Sequence, residues 1–278
     1  MKPSRRVVLV GGVALALPSF AAGGFEALEK KLGGQLGLFA RRGAKTVSWR
    51  EQERFAYCSV FKWLLAAAVL EARQRGRLAL EDRVKWTEQD LIEPSTGTRP
   101  HLATGLTIGE LCAAAVTVSD NTATDLLEKR LGGLDALRAF ARRLGDEVMR
   151  FDRLEPELNT NLPGDPRDTT TPRAMATLLE RAYTSDVLDA DSKRQLFAWM
   201  KATTTGLKRI RAAVPPDWDA GDKTGTSENG AANDVAVLRP PTGAPIYLAI
   251  FTNAPKTSAA DASVVIAEAA RLALKTLA

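Results

Sequence analysis

The chain has 278 residues, 45% hydrophobic, 26% charged and 6% aromatic, enough for one large domain or two closely joined ones with a real core. Its formal net charge of +5 is partly crowded into Lys2, Arg5 and Arg6. The remainder is too weak and too scattered to mark a nucleic-acid surface. One histidine, His101, and two cysteines, Cys58 and Cys112, leave zinc hydrolysis and Ser-His-Asp chemistry short of residues and give no disulfide framework.

Residues 1–22 read as an export signal. Lys2, Arg5 and Arg6 form a basic start, Val7 to Leu17 an apolar stretch, and Ser19-Phe20-Ala21 a small-x-small cleavage site. The apolar run is short for a bilayer span, so no stable membrane anchor is expected once it is removed. The expected location is periplasmic or secreted. Ser4-Arg5-Arg6 also fits twin-arginine export, and the choice between that route and the general one stays open. A buried N-terminal helix is the other reading of this segment.

Residues 25–32 read as a helix stopped by Gly33-Gly34, and two apolar stretches, 35–40 and 46–56, flank a turn at Arg42 to Lys45. From Ser59 to Arg73 the pattern is apolar all round, which predicts a buried helix. Helical stretches follow near 107–115, 120–131, 133–143, 172–183 and 189–201, interrupted by an irregular run over 151–171 rich in Pro, Asp, Asn and Thr. Strands are expected at 222–227, 234–238 and 246–253, then a closing helix over 260–277. Strands at both ends and helices between them predict an α/β domain made of residues 23–57 and 202–278. It encloses an all-helical unit over 58–201, with a ligand cleft between the two.

Ser59-Val60-Phe61-Lys62 places a hydroxyl and an amine one helical turn apart at the start of the buried helix. A serine needs a neighbouring base to become a nucleophile, and a lysine desolvated in a helical core can take that part. Taken alone, the tetrapeptide equally suits an N-cap serine and a lysine whose amine reaches solvent. Ser119-Asp120-Asn121 and Lys223-Thr224-Gly225 then follow, the second on an expected strand. S-x-x-K, S-D-N and K-T-G in this order are the signature of class A β-lactamases and penicillin-binding proteins. Residues 151–168, with Glu155-Pro156-Glu157-Leu158-Asn159 at their heart, resemble the omega loop of the class A enzymes. The likeness continues through Leu106 to Leu111, Arg209 to Pro215 and Gly221 to Thr226, and covers the chain from about residue 25 onward.

By these residues the chain resembles a class A (serine) β-lactamase of the penicillin-binding-protein superfamily. The resemblance implies an α/β (α+β) fold: an antiparallel sheet flanked by helices, an all-helical domain, and the active site in the cleft between them. Ser59 would be the nucleophile and Lys62 its proton-relay partner. Glu155, with Asn159, would hold and deprotonate the hydrolytic water; whether Lys62 or Glu155 serves as base in acylation stays open. Ser119, assisted by Lys223, would protonate the departing lactam nitrogen. Asn121 would bind the substrate's side-chain amide, and the backbone N–H groups of Ser59 and Thr226 would form the oxyanion hole. Thr224, Gly225, Thr226 and Arg209 would receive the substrate carboxylate end, Arg209 replacing an arginine that many relatives carry where Ala232 stands here. Arg153 and Asp168 would pair to close the omega loop, and Glu155–Pro156 matches a bond that is usually cis in the family.

The resemblance implies β-lactam substrates, no metal, no cofactor, no nucleic-acid partner and a monomer. Ser227 occupies the position where carbapenem-hydrolysing relatives bridge the cysteine equivalent to Cys58, and Ala66 stands where others pair the equivalent of Cys112. Two free, buried thiols are therefore expected. Pro94 takes the place of an aromatic wall on the cleft. A D,D-peptidase or a non-hydrolysing β-lactam sensor shares the three motifs, but Glu155 with Asn159 fits a hydrolase.

Overall fold

The computed structural model describes residues 19–278; the basic and apolar parts of the expected signal lie outside them. Helix α1 (Ser19–Leu32) leads into the hairpin β1 (Gln35–Arg42) and β2 (Lys45–Trp49), then the short β3 (Phe55–Ala56). A 3₁₀ turn at Cys58–Phe61 opens α2 (Lys62–Gln74), and β4 (Arg83–Val84) and β5 (Leu106–Thr107) pair ahead of α3 (Ile108–Thr117). Next come α4 (Asn121–Leu131), α5 (Gly133–Arg143), β6 (Thr169–Thr170), α6 (Pro172–Thr184) and α7 (Ala190–Lys201). Strands β7 (Asp219–Thr226), β8 (Ala232–Arg239) and β9 (Ile246–Asn253) and helix α8 (Ala259–Leu277) complete the chain.

Five strands form one antiparallel sheet in the order β2-β1-β9-β8-β7. Both faces are covered, and the alternation of side chains along each strand sorts them into two cores. On β8, Ala232, Ala236 and Leu238 pack with Leu36, Leu38, Ile250 and the apolar side of α8. Val235 and Val237 point the other way and join Phe39, Tyr247, Phe251 and the helical layer. Helices α6 and α7, both within the stretch expected to be all-helical, lie directly on the sheet through β9, β1 and β7.

Helix α2 runs through the centre of that second core. Trp63 to Ala72 are buried without a break, as its uniformly apolar sequence requires. Three expectations needed adjustment. The helix expected from Ser59 is α-helical only from Lys62, because Cys58 enters at φ +48° and the first turn tightens to 3₁₀. The strand expected over 46–56 breaks at Arg50, whose φ is +44°, so only β2 and the two-residue β3 remain. The helix expected at 25–32 starts at Ser19, inside the expected signal segment.

Cys58 and Cys112 are both buried and free. Burial pushes the Cys58 thiol up to about 12, with Glu155 adding to the effect, and burial likewise raises Cys112. Neither thiol is a ready nucleophile. Among the described residues, no helix is long and apolar enough to cross a membrane. Ile250 is fully buried on β9 between β1 and β8. Replacing it by Ala should destabilise the protein by about 2–5 kcal/mol, measured as a lower midpoint in urea with an unchanged slope.

Candidate active site

The turn that carries Ser59 is pressed between the sheet and the irregular loop over 151–168. Asn233 on β8 donates from Nδ2 to the carbonyls of Ala56 (2.8 Å) and Tyr57 (3.3 Å), just ahead of Ser59. Its Oδ1 accepts from the Thr252 N–H at 3.2 Å. Gly225 lets β7 come equally close, since a Cβ there would stand 2.5 Å from the Tyr57 carbonyl oxygen. The glycine of K-T-G is thus a requirement of close backbone approach. Ser59 caps neither element: Tyr57 precedes the 3₁₀ turn and Phe61 precedes α2, and neither makes a side-chain cap bond. The Ser59 hydroxyl instead donates to Glu155 Oε1 at 3.3 Å.

Lys62 has no exposed side-chain surface. Its Nζ lies 3.0 Å from Glu155 Oε1, 2.9 Å from the Ser119 carbonyl and 2.5 Å from Asn121 Oδ1. Desolvation pulls the amine below the ordinary lysine range, and the Glu155 carboxylate opposes that pull. Ser119 sits at φ +61°, an uncommon place for a side-chain-bearing residue. The next residue secures it: the fully buried Asp120 carboxylate accepts from the N–H groups of Gly97, Thr98 and Ala123 and from the Thr98 hydroxyl. Asp120 thereby caps α4, whose first residue, Asn121, also donates to the Glu93 carbonyl at 2.6 Å.

Across the cleft, Lys223 Nζ donates to the Ser119 hydroxyl at 3.0 Å and to the Thr224 carbonyl at 2.8 Å. Burial, reinforced by the nearby charge of Lys62, brings this amine down to about 7. Ser119 Oγ therefore lies between two amines, since Lys62 approaches it to 3.5 Å. The Thr224 hydroxyl pairs with that of Thr205 at 2.6 Å.

The irregular loop over 151–168 is closed at its neck by Asp168, itself at φ +53°. Its carboxylate accepts from Arg153 Nε (2.6 Å), from the N–H groups of Asp152 and Arg153, and from the Tyr57 hydroxyl. Arg153 reaches on to the Thr160 hydroxyl at 2.8 Å. Within the loop, Glu155–Pro156 is cis and Asn159 Nδ2 donates to Glu155 Oε2. Asn159 Oδ1 is buried without a protein donor.

Arg209 is only 6% exposed and all its close contacts are neutral. It donates to the carbonyls of Gly225 and Asn233, to the Thr226 hydroxyl and to Ser263 Oγ. Behind it lies a carboxyl pair that sequence reasoning missed. Asp222 contacts Arg211, and Asp234 accepts the Ile210 N–H at 3.0 Å. Burial and the neighbouring Asp222 push Asp234 well up, against the opposing charge of Arg209. The signal was present as Ala232-Asn233-Asp234, a polar doublet opening an otherwise apolar strand. Among the described residues, no group of three or more His, Cys, Asp or Glu could hold a metal ion.

Ser59, Ser119, Asn121, Asn159, Arg209, Thr224, Gly225 and Thr226 line one cleft of about 910 Å³. Lys62, Glu155 and Lys223 form its buried floor. Arg153 and Asp168 stand behind the loop, and Pro94 lies on the wall.

The β-lactamase enzyme family model matches residues 24–277. A carbapenem-hydrolysing β-lactamase KPC from Klebsiella oxytoca is 46% identical over 272 residues, covering 97% of this chain and 93% of its own length. β-Lactamase CTX-M-97 from Escherichia coli is 43% identical over 249 residues, covering 89% and 86%. Among solved structures, the last common ancestor of Gram-negative bacteria class A β-lactamase (GNCA4) superposes with a TM-score of 0.91 at 47% identity, covering 93% of this chain and 99% of that one. Fold, cleft and relatives agree: the chain belongs to the β-lactamase enzyme family, as a β-lactamase of class A.

Proposed function

We propose that the chain opens the β-lactam ring of penicillins and cephalosporins through an ester on Ser59, and that water activated by Glu155 clears that ester. The observation that carries this reading is the reach of one carboxylate. Glu155 touches the nucleophile, the buried amine of Lys62 and the Asn159 amide at once. In acylation, Ser59 Oγ attacks the lactam carbonyl and its proton passes to the Lys62–Glu155 pair. The direct hydrogen bond from Ser59 to Glu155 favours the carboxylate as first acceptor. The backbone N–H groups of Ser59 and Thr226 receive the oxyanion. As the C–N bond breaks, Ser119 hands its proton to the lactam nitrogen and is resupplied from Lys223 or Lys62.

Deacylation needs a water that can be both held and deprotonated. Asn159 Oδ1 offers a free acceptor beside the Glu155 carboxylate. Glu155 takes the proton as the water attacks the ester carbonyl, and Ser59 leaves with a proton returned through the pair. The substrate carboxylate meets Lys223, the hydroxyls of Thr224 and Thr226, and Arg209 acting through Thr226. Asn121 holds the acylamide side chain.

Carbapenem hydrolysis is not implied, because Ser227 cannot bridge Cys58. Export and action as a monomer outside the cytoplasm complete the proposal, on the strength of the basic and apolar start of the sequence. The cleft then separates a unit of residues 23–57 and 202–278 from a helical unit of residues 58–201.

With Lys62 left to take the Ser59 proton, Glu155→Ala should still form the Ser59 ester, more slowly, and fail to clear it, with steady-state turnover down about 10²–10⁴-fold. A chromogenic cephalosporin would give one stoichiometric burst, and mass spectrometry would find the adduct. Sustained turnover by this variant would remove Glu155 from the role. Arg153→Ala should slow deacylation by roughly 10²-fold through misplacement of Glu155, while acylation, followed by stopped flow, changes far less.

Lys223 loses its proton as pH rises through about 7. KM for carboxylate-bearing substrates should therefore climb above neutral pH, by about tenfold for one lost charged contact. Lys223→Arg, charged throughout, should flatten that climb in steady-state kinetics.

A further inference from the structure

Helix α4 carries a second carboxyl toward the catalytic core. Asn121, whose Oδ1 receives the Lys62 amine, starts a stripe that continues one and two turns later through Asp125 and Glu128. Helix α4 packs on α2, the helix of Lys62. Asp125 is spoken for, since Lys129 lies 2.7 Å away at the surface. Glu128 is different. It is 1% exposed, and neither carboxylate oxygen makes a hydrogen bond to any protein group. A buried carboxylate without a partner is costly and native folds seldom carry one by accident.

The charges whose fields reach Glu128 are those of the site: Lys62 on α2, Glu155 and Asp168 in the 151–168 loop, the latter held by Arg153, and Asp125 on its own helix. The buried Tyr57 phenol senses it in turn. Four carboxyls and one amine thus influence one another here, and Glu128 alone among them lacks a bonded partner.

We propose that Glu128 is a positioning residue for the reaction, an acid behind the Lys62–Glu155 pair whose charge state governs how firmly that pair holds its proton. Burial first, then Glu155, pushes the Glu128 carboxyl up to about 8. It is therefore neutral when the enzyme works at neutral pH and adds no repulsion to Glu155. When it ionises in alkaline solution, its negative charge favours the proton on Lys62 and keeps the ion pair intact to higher pH. The inference rests on the proposed roles of Lys62 and Glu155, and its test is separate from theirs.

The experiment compares kcat against pH for the full chain and for Glu128→Gln, an uncharged side chain of the same shape. The alkaline limb of the variant should move down by about half a unit. The ratio of variant to parent kcat should then fall about threefold between about pH 6.5 and about pH 9. Thermal melts give a second readout. Ionising a buried acid costs folding free energy, so the parent should lose stability as pH rises through about 8. Glu128→Gln and Glu128→Leu should lose less, and Glu128→Leu keeps the melt comparison open if the glutamine variant fails to fold. Superimposable pH profiles, or a loss of kcat equal at every pH, would overturn the proposal. If Glu155→Ala still stalls as an ester while Glu128→Gln shows neither shift, only this inference fails. If Glu155→Ala turns over freely, the reading beneath it fails first.

Discussion

An amine with no exposed surface organises this molecule. Burial disfavours the charge of Lys62 and the Glu155 carboxylate beside its Nζ opposes that pull, while the Ser119 carbonyl and Asn121 complete its surroundings. Those partners come from the omega loop and from the turn entering α4, segments far apart in the chain and each awkward to hold alone. The ammonium gives all of them one meeting point. Breaking a buried pair by removing one partner costs about 3–5 kcal/mol, because the other charge is left stranded. The geometry of the site and the stability of the fold are for that reason largely the same quantity here.

The rest of the architecture keeps that meeting point rigid. Asp120 ties down the left-handed Ser119, Asp168 ties down the neck of the omega loop, and Asn233 ties the sheet to the turn before Ser59. Each is a polar side chain buried with its bonds satisfied, the arrangement that specifies one conformation rather than several. Lys223 introduces tension. Two buried amines flank one hydroxyl, and the second is easily neutralised because it is buried and the first is close by. Ser119 accordingly stands with a buried amine on either side of its hydroxyl.

Much of this was legible in the sequence. The apolar run after Ser59 could only be a buried helix. The 246–253 strand coincides with β9, and the three motifs converge on one cleft. What was hidden depends on register and tertiary contact. Asp222 and Asp234 become partners only once β7 pairs with β8 so that Thr224 faces Asp234, making the two carboxyls diagonal neighbours. The left-handed turn at Cys58 has no local signature, since cysteine does not favour that conformation. The two-residue pair β3–β6 joins segments more than a hundred residues apart and is too short to leave a periodic trace. Glu128, followed by Lys129 and Arg130, looks like part of an ordinary solvated face until α4 is packed in place.

The cysteines have a consequence for how the protein is made. Both thiols are enclosed by the core, and the chain holds no others, so no step toward the native state waits for an oxidant. The polypeptide can complete its fold in a reducing cytosol as readily as beyond the membrane, and a reductant has no bond to cleave. The redox poise of the compartment in which the chain folds therefore places no constraint on reaching the native state.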